Sequence, residues 1–206
     1  MGLKKAFKKL PASFYRLDAL EVARALPGRI LVTDRDGIRT SGRIVEVEAY
    51  TGVNDRAAHS FGGRRTPRTE VMYAAGGVAY VYLCYGIHHL FNVVTGPEDN
   101  PQAVLIRGIE PLEGITDMLL RTGKTKADST LTRGPGNVSR ALGLHTADTR
   151  TALDGDRMFI MDDGFRYADQ LLGVSPRIGV DYAGEDAQLP YRFYIKGNPY
   201  VSGKPR

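Results

Sequence analysis

The chain has 206 residues, 42% of them hydrophobic, with 28 Lys and Arg against 23 Asp and Glu, a net charge of +5 and a pI of about 9.3. That length suits one domain with a proper core, and no apolar run reaches the length of a bilayer span. The single cysteine, Cys84, excludes an internal disulfide and a cysteine-based zinc site. The basic balance favours anionic partners, nucleic acid before acidic membrane.

The start, MGLKKAFKKL, carries Lys4, Lys5, Lys8 and Lys9 with no apolar stretch behind them. It predicts a flexible, solvated basic arm over residues 1–10, not a secretory signal, and hence an intracellular protein. Asp18 followed by Glu21 has the spacing of a capping box and opens a helix that stops near Leu26, before Pro27-Gly28. Arg29 to Thr33 reads as a strand, Asp34 to Gly37 as a turn, and Arg39 to Tyr50 as a long paired strand. Residues 51–65 form a loop, and a short helix follows Pro67 and ends near Gly76-Gly77.

Residues 78–94, VAYVYLCYGIHHLFNVV, give the densest strand signal and predict a hairpin with Tyr85 and Gly86 near its tip. Cys84 reads as a small buried hydrophobe of that hairpin. Ala103 to Ile109 is a further strand. Pro111 to Arg121 is expected as a helix with proline in its first turn. A polar loop covers 122–132, Gly134-Pro-Gly-Asn137 leads into a helix ending at Gly143, and Arg157 to Met161 and Tyr191 to Lys196 are the last strands. Helices interspersed among strands, without regular βαβ alternation, predict an α+β domain on an antiparallel or mixed sheet.

Side chains alternate faces along a strand, so EVEAY (46–50) sets Glu46, Glu48 and Tyr50 opposite Val45, Val47 and Ala49. The apolar set packs, and the acids meet either water or something that needs a carboxylate. Arg107, in the otherwise apolar VLIRGIE, needs an anion, and Glu48 or Glu46 is the candidate. From spacing alone a structural ion pair between two strands is the plainer reading; a partly desolvated Glu48 acting as general base is the sharper one. His59, His88, His89 and His145 lack the spacing of zinc hydrolases, and neither a phosphate-binding loop nor a GxSxG turn is present, so no metal and no nucleotide cofactor is expected. Tyr80 and Tyr82 share one strand face. Tyr85 at the tip is placed to act as a wedge in a base stack. Arg64, Arg65 and Arg68 offer point contacts to phosphates, and the turn before Gly136 and Asn137 presents N–H groups to an anion.

Taken together, GRIVEVEAY, DRAAHSFGGRRTPR, YVYLCYGIHHLFNVV, AVLIRGIEPLEG, RGPGNVSRALG, PRIGVDYAG and PYRFYIKG resemble the alkyladenine (methylpurine) DNA glycosylases, in order and at matching spacing from about residue 11 to 202. The resemblance implies a single α+β domain, spanning 1–206, with a curved antiparallel sheet and a hairpin pushed into the minor groove. It implies a cofactor-free enzyme that flips alkylated purines, with deaminated and etheno purines as further candidates, out of duplex DNA and hydrolyses the glycosidic bond. Glu48 then matches the base that deprotonates water, Arg107 the arginine that holds it, and the Val180 carbonyl a further water ligand. Tyr50, His59 and Tyr82 match the walls of the base pocket. Asn92 matches the asparagine that discriminates against guanine, and Tyr85 the intercalating residue. Three departures from the family pattern stand out: His88 beside the wedge, where the mammalian relatives have tyrosine, Ile87 in place of a methionine, and Asp181-Tyr182 in place of a glycine-histidine pair beside Val180. Three rivals remain at this stage: a non-catalytic binder of damaged DNA, with no need of Glu48; a hydrolase of free nucleosides, with no need of Tyr85, Arg64 or Arg65; and an RNA-directed enzyme, which would have to meet the 2′-hydroxyl.

Overall fold

The computed structural model describes residues 7–203, so Lys4 and Lys5 of the expected arm lie outside the described residues. The later part of that arm is folded. Strand β1 (Lys8–Lys9) pairs with Met161 and Asp162, and the Lys9 ammonium reaches Asp156 at 2.8 Å and the Gly155 carbonyl at 2.7 Å. After a one-turn helix α1 (Ala12–Tyr15), the capping box forms: Asp18 Oδ1 accepts from the Leu20 N–H at 3.1 Å and Glu21 Oε2 from the Asp18 N–H at 3.2 Å. It starts α2 (Ala19–Ala25).

The strands that follow are β2 (Ile30–Arg35), β3 (Ile38–Tyr50), β4 (Ala79–Cys84), β5 (His88–Thr95) and β6 (Gln102–Glu113). Helices α3 (Ile115–Thr122) and α4 (Pro135–Leu142) precede β7 (Met158–Asp162), β8 (Leu172–Ser175) and β9 (Arg192–Ile195). Every pairing is antiparallel, in the order β1-β7-β2-β3-β6-β5-β4, with β9 also on β3 and β8 on β9. The fold is thus a single α+β domain on one open antiparallel sheet. Val47 and Ala49 of β3, Ile106 of β6 and Phe91 of β5 are buried with Val22 and Leu26 of α2 and Val138 and Leu142 of α4 in one apolar cluster. That packing fixes which face of β3 is left for Glu46, Glu48 and Tyr50.

β3 is the spine. Its first half pairs with β2, its second half with β9, and β6 runs along its other edge. The β3–β6 register slips twice: Ile44 opposes Ile109, Glu46 opposes Gly108 and Val47 opposes Ile106, so Val45 and Arg107 are each the extra residue of a bulge. A bulge bends the strand and re-aims a side chain, and here it delivers Arg107 to both acids.

Three expectations need correction. Pro111 does not open a helix: β6 continues through it to Glu113, and α3 begins only after Gly114, whose φ is +72°. Pro111 sits opposite Gly42 at a register irregularity, where its missing N–H costs no ladder bond. After Pro67 only a 3-10 turn forms (Glu70–Tyr73), because Thr66 and Thr69 bond each other's backbone and Thr69 donates to the Arg64 carbonyl at 2.9 Å. Cys84, at the end of β4, is half-buried and not enclosed.

Gly108 has no room for a side chain. A methyl group there would stand 2.5 Å from the Tyr200 carbonyl and 3.3 Å from the Glu46 carboxylate. Gly108→Ala is therefore expected to push the C-terminal segment off the sheet and cost about 1–3 kcal/mol, the usual scale of overpacking. Urea unfolding of the variant beside the parent chain checks this; equal midpoints would contradict it.

Candidate active site

Glu46 and Glu48 are both fully buried, and the two pairs of groups around them balance charge. Glu46 Oε1 accepts from Arg107 Nε at 3.2 Å, Arg192 Nε at 2.7 Å and the Ser202 hydroxyl at 3.0 Å; its Oε2 accepts from the Ser202 N–H at 2.6 Å. Glu48 Oε2 accepts from Arg107 Nη1 at 3.2 Å and from the Tyr50 hydroxyl at 3.0 Å, and its Oε1 from the Ile178 N–H at 2.7 Å. Burial by itself would weaken the hold of Arg107 on its proton; Glu48 and then Glu46 outweigh it and raise the pKa. The expected ion pair therefore exists, and it is shared: one guanidinium bridges two carboxylates.

A second buried pair ties two loops together. Arg177 donates to Asp55 through both terminal nitrogens, at 2.6 and 2.8 Å, and also to the carbonyls of Ala49 at 3.0 Å and Asp186 at 3.1 Å. Asp55 in turn accepts the N–H groups of Thr51 and Ala57, both at 3.0 Å. The Arg177 guanidinium lies 4.9 Å from the Tyr50 ring centre, so it braces that ring from the side.

Tyr50, His59, Tyr80, Tyr82, Asn92 and Tyr182 line a narrow slot beside this network, with about 30 Å³ of free space. The His59 and Tyr82 rings meet edge to face at 4.6 Å, and His59 Nδ1 is 2.8 Å from the Tyr80 hydroxyl. Asn92 donates its amide to the carbonyls of Tyr80 at 3.2 Å and Leu90 at 3.3 Å. Arg68 lies over Tyr82, 5.0 Å from its centre, with Nη2 3.3 Å from His59 Nε2, so it stands at the slot as well as on the basic surface. Burial first, then Arg68 and Arg64, push the His59 pKa down to about 4. Val180 is buried nearby, and its carbonyl accepts the Ala183 N–H at 2.8 Å, leaving one lone pair.

The remaining expected residues lie on the outside. The Cys84 carbonyl accepts from the Ile87 N–H at 3.1 Å, with Tyr85 and Gly86 both at positive φ, which is a type I′ hairpin turn. Tyr85 is 91% exposed at its tip, with exposed Ile87 beside it. Gly136 and Asn137 open α4, where the first N–H groups stand outside the helix ladder; Gly136 packs against His88 and Asn137 donates its amide to the Arg133 carbonyl at 2.9 Å. Arg64 is exposed. Arg65 is held by Glu70 at 2.8 Å and Asp99 at 2.9 Å, so its charge is already answered within the chain. Among the described residues, no helix is long and apolar enough to cross a membrane, and no three acidic, His or Cys side chains are grouped to hold a metal ion.

Comparison with known proteins decides the family. The profile of the methylpurine-DNA glycosylases (MPG) matches residues 13–199. The chain belongs to the methylpurine-DNA glycosylase family. Proteins of Bacillus cereus strain G9842 and Bacillus thuringiensis strain Al Hakam, provisionally named 3-methyladenine DNA glycosylases, are each 50% identical over 202 residues, covering 94% of this chain and 98% of theirs. A namesake from Bacillus cytotoxicus is 48% identical over 94% of this chain and 99% of its own. As a family member the chain is a DNA glycosylase, a hydrolase of N-glycosidic bonds that serves DNA repair.

Sequence reasoning missed Arg177, Asp55, Arg192 and Ser202, and noted Tyr182 only as a departure from the family pattern, without a place at the slot. The one available signal was a pair of arginines, Arg177 and Arg192, in apolar surroundings near the C-terminal strands, each in need of an anion. In this methylpurine-DNA glycosylase Glu46 answers one of them. Glu46→Gln leaves Arg107 and Arg192 short of charge inside the protein, and a loss of about 3–5 kcal/mol is expected; denaturant titration tests it, and a loss below 1 kcal/mol would contradict the network.

His59 is neutral in the folded chain well below its unfolded pKa of about 6.5. Its contribution to stability is therefore complete above about pH 6.5 and is lost as pH falls towards 4, since only the unfolded state takes the proton there. Comparison of unfolding free energies of the parent chain and His59→Gln from pH 7 to 4.5 should show the gap between them closing as the pH drops.

Proposed function

We propose that this glycosylase flips a damaged purine nucleotide out of the minor-groove face of duplex DNA, seats its base in the slot, and hydrolyses the glycosidic bond with water oriented by Glu48. The observation that carries the reading is the Tyr50 side chain: its ring walls the slot while its hydroxyl bonds the buried Glu48 carboxylate. A base stacked on Tyr50 brings its sugar carbon towards that carboxylate. One domain supplies all the parts, and a monomer suffices.

Breaking a purine glycosidic bond builds positive, oxocarbenium-like charge on the sugar. Glu48 answers that charge and takes a proton from the attacking water, while Arg107, held by Glu46, keeps the carboxylate in place. The free lone pair of the Val180 carbonyl is a second acceptor for that water. An alkylated, cationic purine gains from the faces of Tyr50, Tyr82 and His59, by about 1–2 kcal/mol for a desolvated cation over an aromatic ring. Neutral etheno and deaminated purines lack that attraction and depend on hydrogen bonds with neutral His59. Both amide hydrogens of Asn92 are committed to carbonyls, so it cannot swing aside for the 2-amino group of guanine. Tyr85 fills the gap left in the stack, and Arg64, Arg68 and the start of α4 meet the backbone. Arg65 contributes only if DNA displaces its carboxylate partners.

Glu48→Gln should lower release of 3-methyladenine from duplex DNA by about 10²–10⁴-fold, the scale of general-base loss, and should still bind the lesion. Unchanged release would favour the non-catalytic binder. Among the described residues no lysine lines the slot, and a lyase step requires an amine. The product should therefore be an intact abasic strand, checked on a denaturing gel without added endonuclease; nicking would contradict it.

A further inference from the structure

The slot is narrow in the free protein. Its space of about 30 Å³ is far too little for a purine. Glu48, with no exposed surface, is closed off. An opening must precede the reaction, and one slot-lining residue stands apart in its exposure. Tyr50 is braced by Arg177 and Glu48, His59 by Tyr80 and Arg68, and Asn92 by two carbonyls. Tyr182 is 71% exposed, and one hydrogen bond, from its hydroxyl to the Ala57 carbonyl at 3.1 Å, ties it to the opposite loop.

We infer that Tyr182 is the gate and steric filter of the slot: its ring lies across the mouth, latched to Ala57, and a base enters only when that latch opens.

The latch joins the two segments that the Asp55–Arg177 pair brings together. Ala57 belongs to the loop that carries His59, and its own N–H is fixed by Asp55. Tyr182 belongs to the segment whose Ile178 N–H holds Glu48. The Tyr182 hydroxyl is held at the Ala57 carbonyl while most of the residue faces water; desolvation there, with Asp55, Cys84 and Glu48 adding to it against Arg177, pushes the phenol's pKa up. A side chain that lies mostly in solvent gives up little packing when it turns away, so the fixed loops need not move. Once a nucleotide has entered, the ring can close on its outer edge, and adducts that project there must fit beneath it.

The inference rests on the glycosylase reading, and its test separates the two. The probe is a duplex with one fluorescent ethenoadenine, mixed by stopped flow with Glu48→Gln protein so that no base is released. Tyr182→Phe, which removes one oxygen from an exposed residue, should speed the entry step by about 2–12-fold, the factor carried by one net hydrogen bond. Tyr182→Ala, in the catalytically intact chain, should narrow the ratio of 3-methyladenine release to undamaged-purine release by a similar factor of about 2–12, the scale of one aromatic contact. Entry unchanged or slowed in Tyr182→Phe overturns the gate, and an unchanged ratio overturns the filter. If Tyr182→Ala does not fold, Tyr182→Phe decides. Base release by the parent chain is the separate control: its absence defeats the glycosylase reading, and binding of free ethenoadenine, faster in Tyr182→Phe or not, then judges the gate.

Discussion

The Arg107 guanidinium, shared between Glu46 and Glu48, is the contact on which the rest of the site depends. Burying a lone carboxylate is prohibitive, and burying two side by side is worse, because each raises the cost of charging the other. Arg107 and Arg192 supply two positive charges to two negative ones, and Ser202 and the Ile178 N–H fill the oxygen positions the arginines leave. Such a network adds little net stability compared with an apolar core of the same shape, but loss of any one member leaves a buried charge without an answer. What it supplies is position. Glu48 is held from three sides, so its orientation is set before any nucleic acid arrives, which is the condition for electrostatic catalysis.

That network also explains the irregularities of the sheet. A regular β3–β6 ladder would set Arg107 directly across from one residue of β3. The bulges at Val45 and Arg107 let its side chain fall between two acids on the same face. The absence of a side chain at Gly108 lets the Tyr200 carbonyl cross the strand, and this brings Ser202 down onto Glu46. Local departures from ideal geometry thus concentrate where the carboxylates are, while the opposite face of β3 packs regularly on α2 and α4.

Around this fixed centre the other parts differ in how firmly they are held. The Asp55–Arg177 pair locks the His59 loop to the segment that carries Ile178 and Val180. The type I′ turn holds Tyr85 at the end of a paired ribbon, in water on nearly all sides. Tyr182, at the slot, is tied by a single hydrogen bond to the Ala57 carbonyl.

The sequence by itself determined the alternating face of β3, the α2 capping box, the Tyr85-Gly86 tip and the demand of Arg107 for an anion, because each follows from spacing within a few residues and from the cost of burying charge. Family resemblance added roles for Glu48, Tyr50, His59, Tyr82 and Asn92, which composition and periodicity do not carry. Pro111 misled, since proline at a helix start and proline at a sheet irregularity look the same in one dimension. Only the tertiary structure decided that Glu46 and Glu48 share one arginine, that Arg65 is spent on Glu70 and Asp99, and that Asp55 meets Arg177 from 122 residues away. Those contacts join segments distant in the chain, and which of several arginines reaches which acid depends on register, bulges and loop closure, quantities that no local pattern encodes.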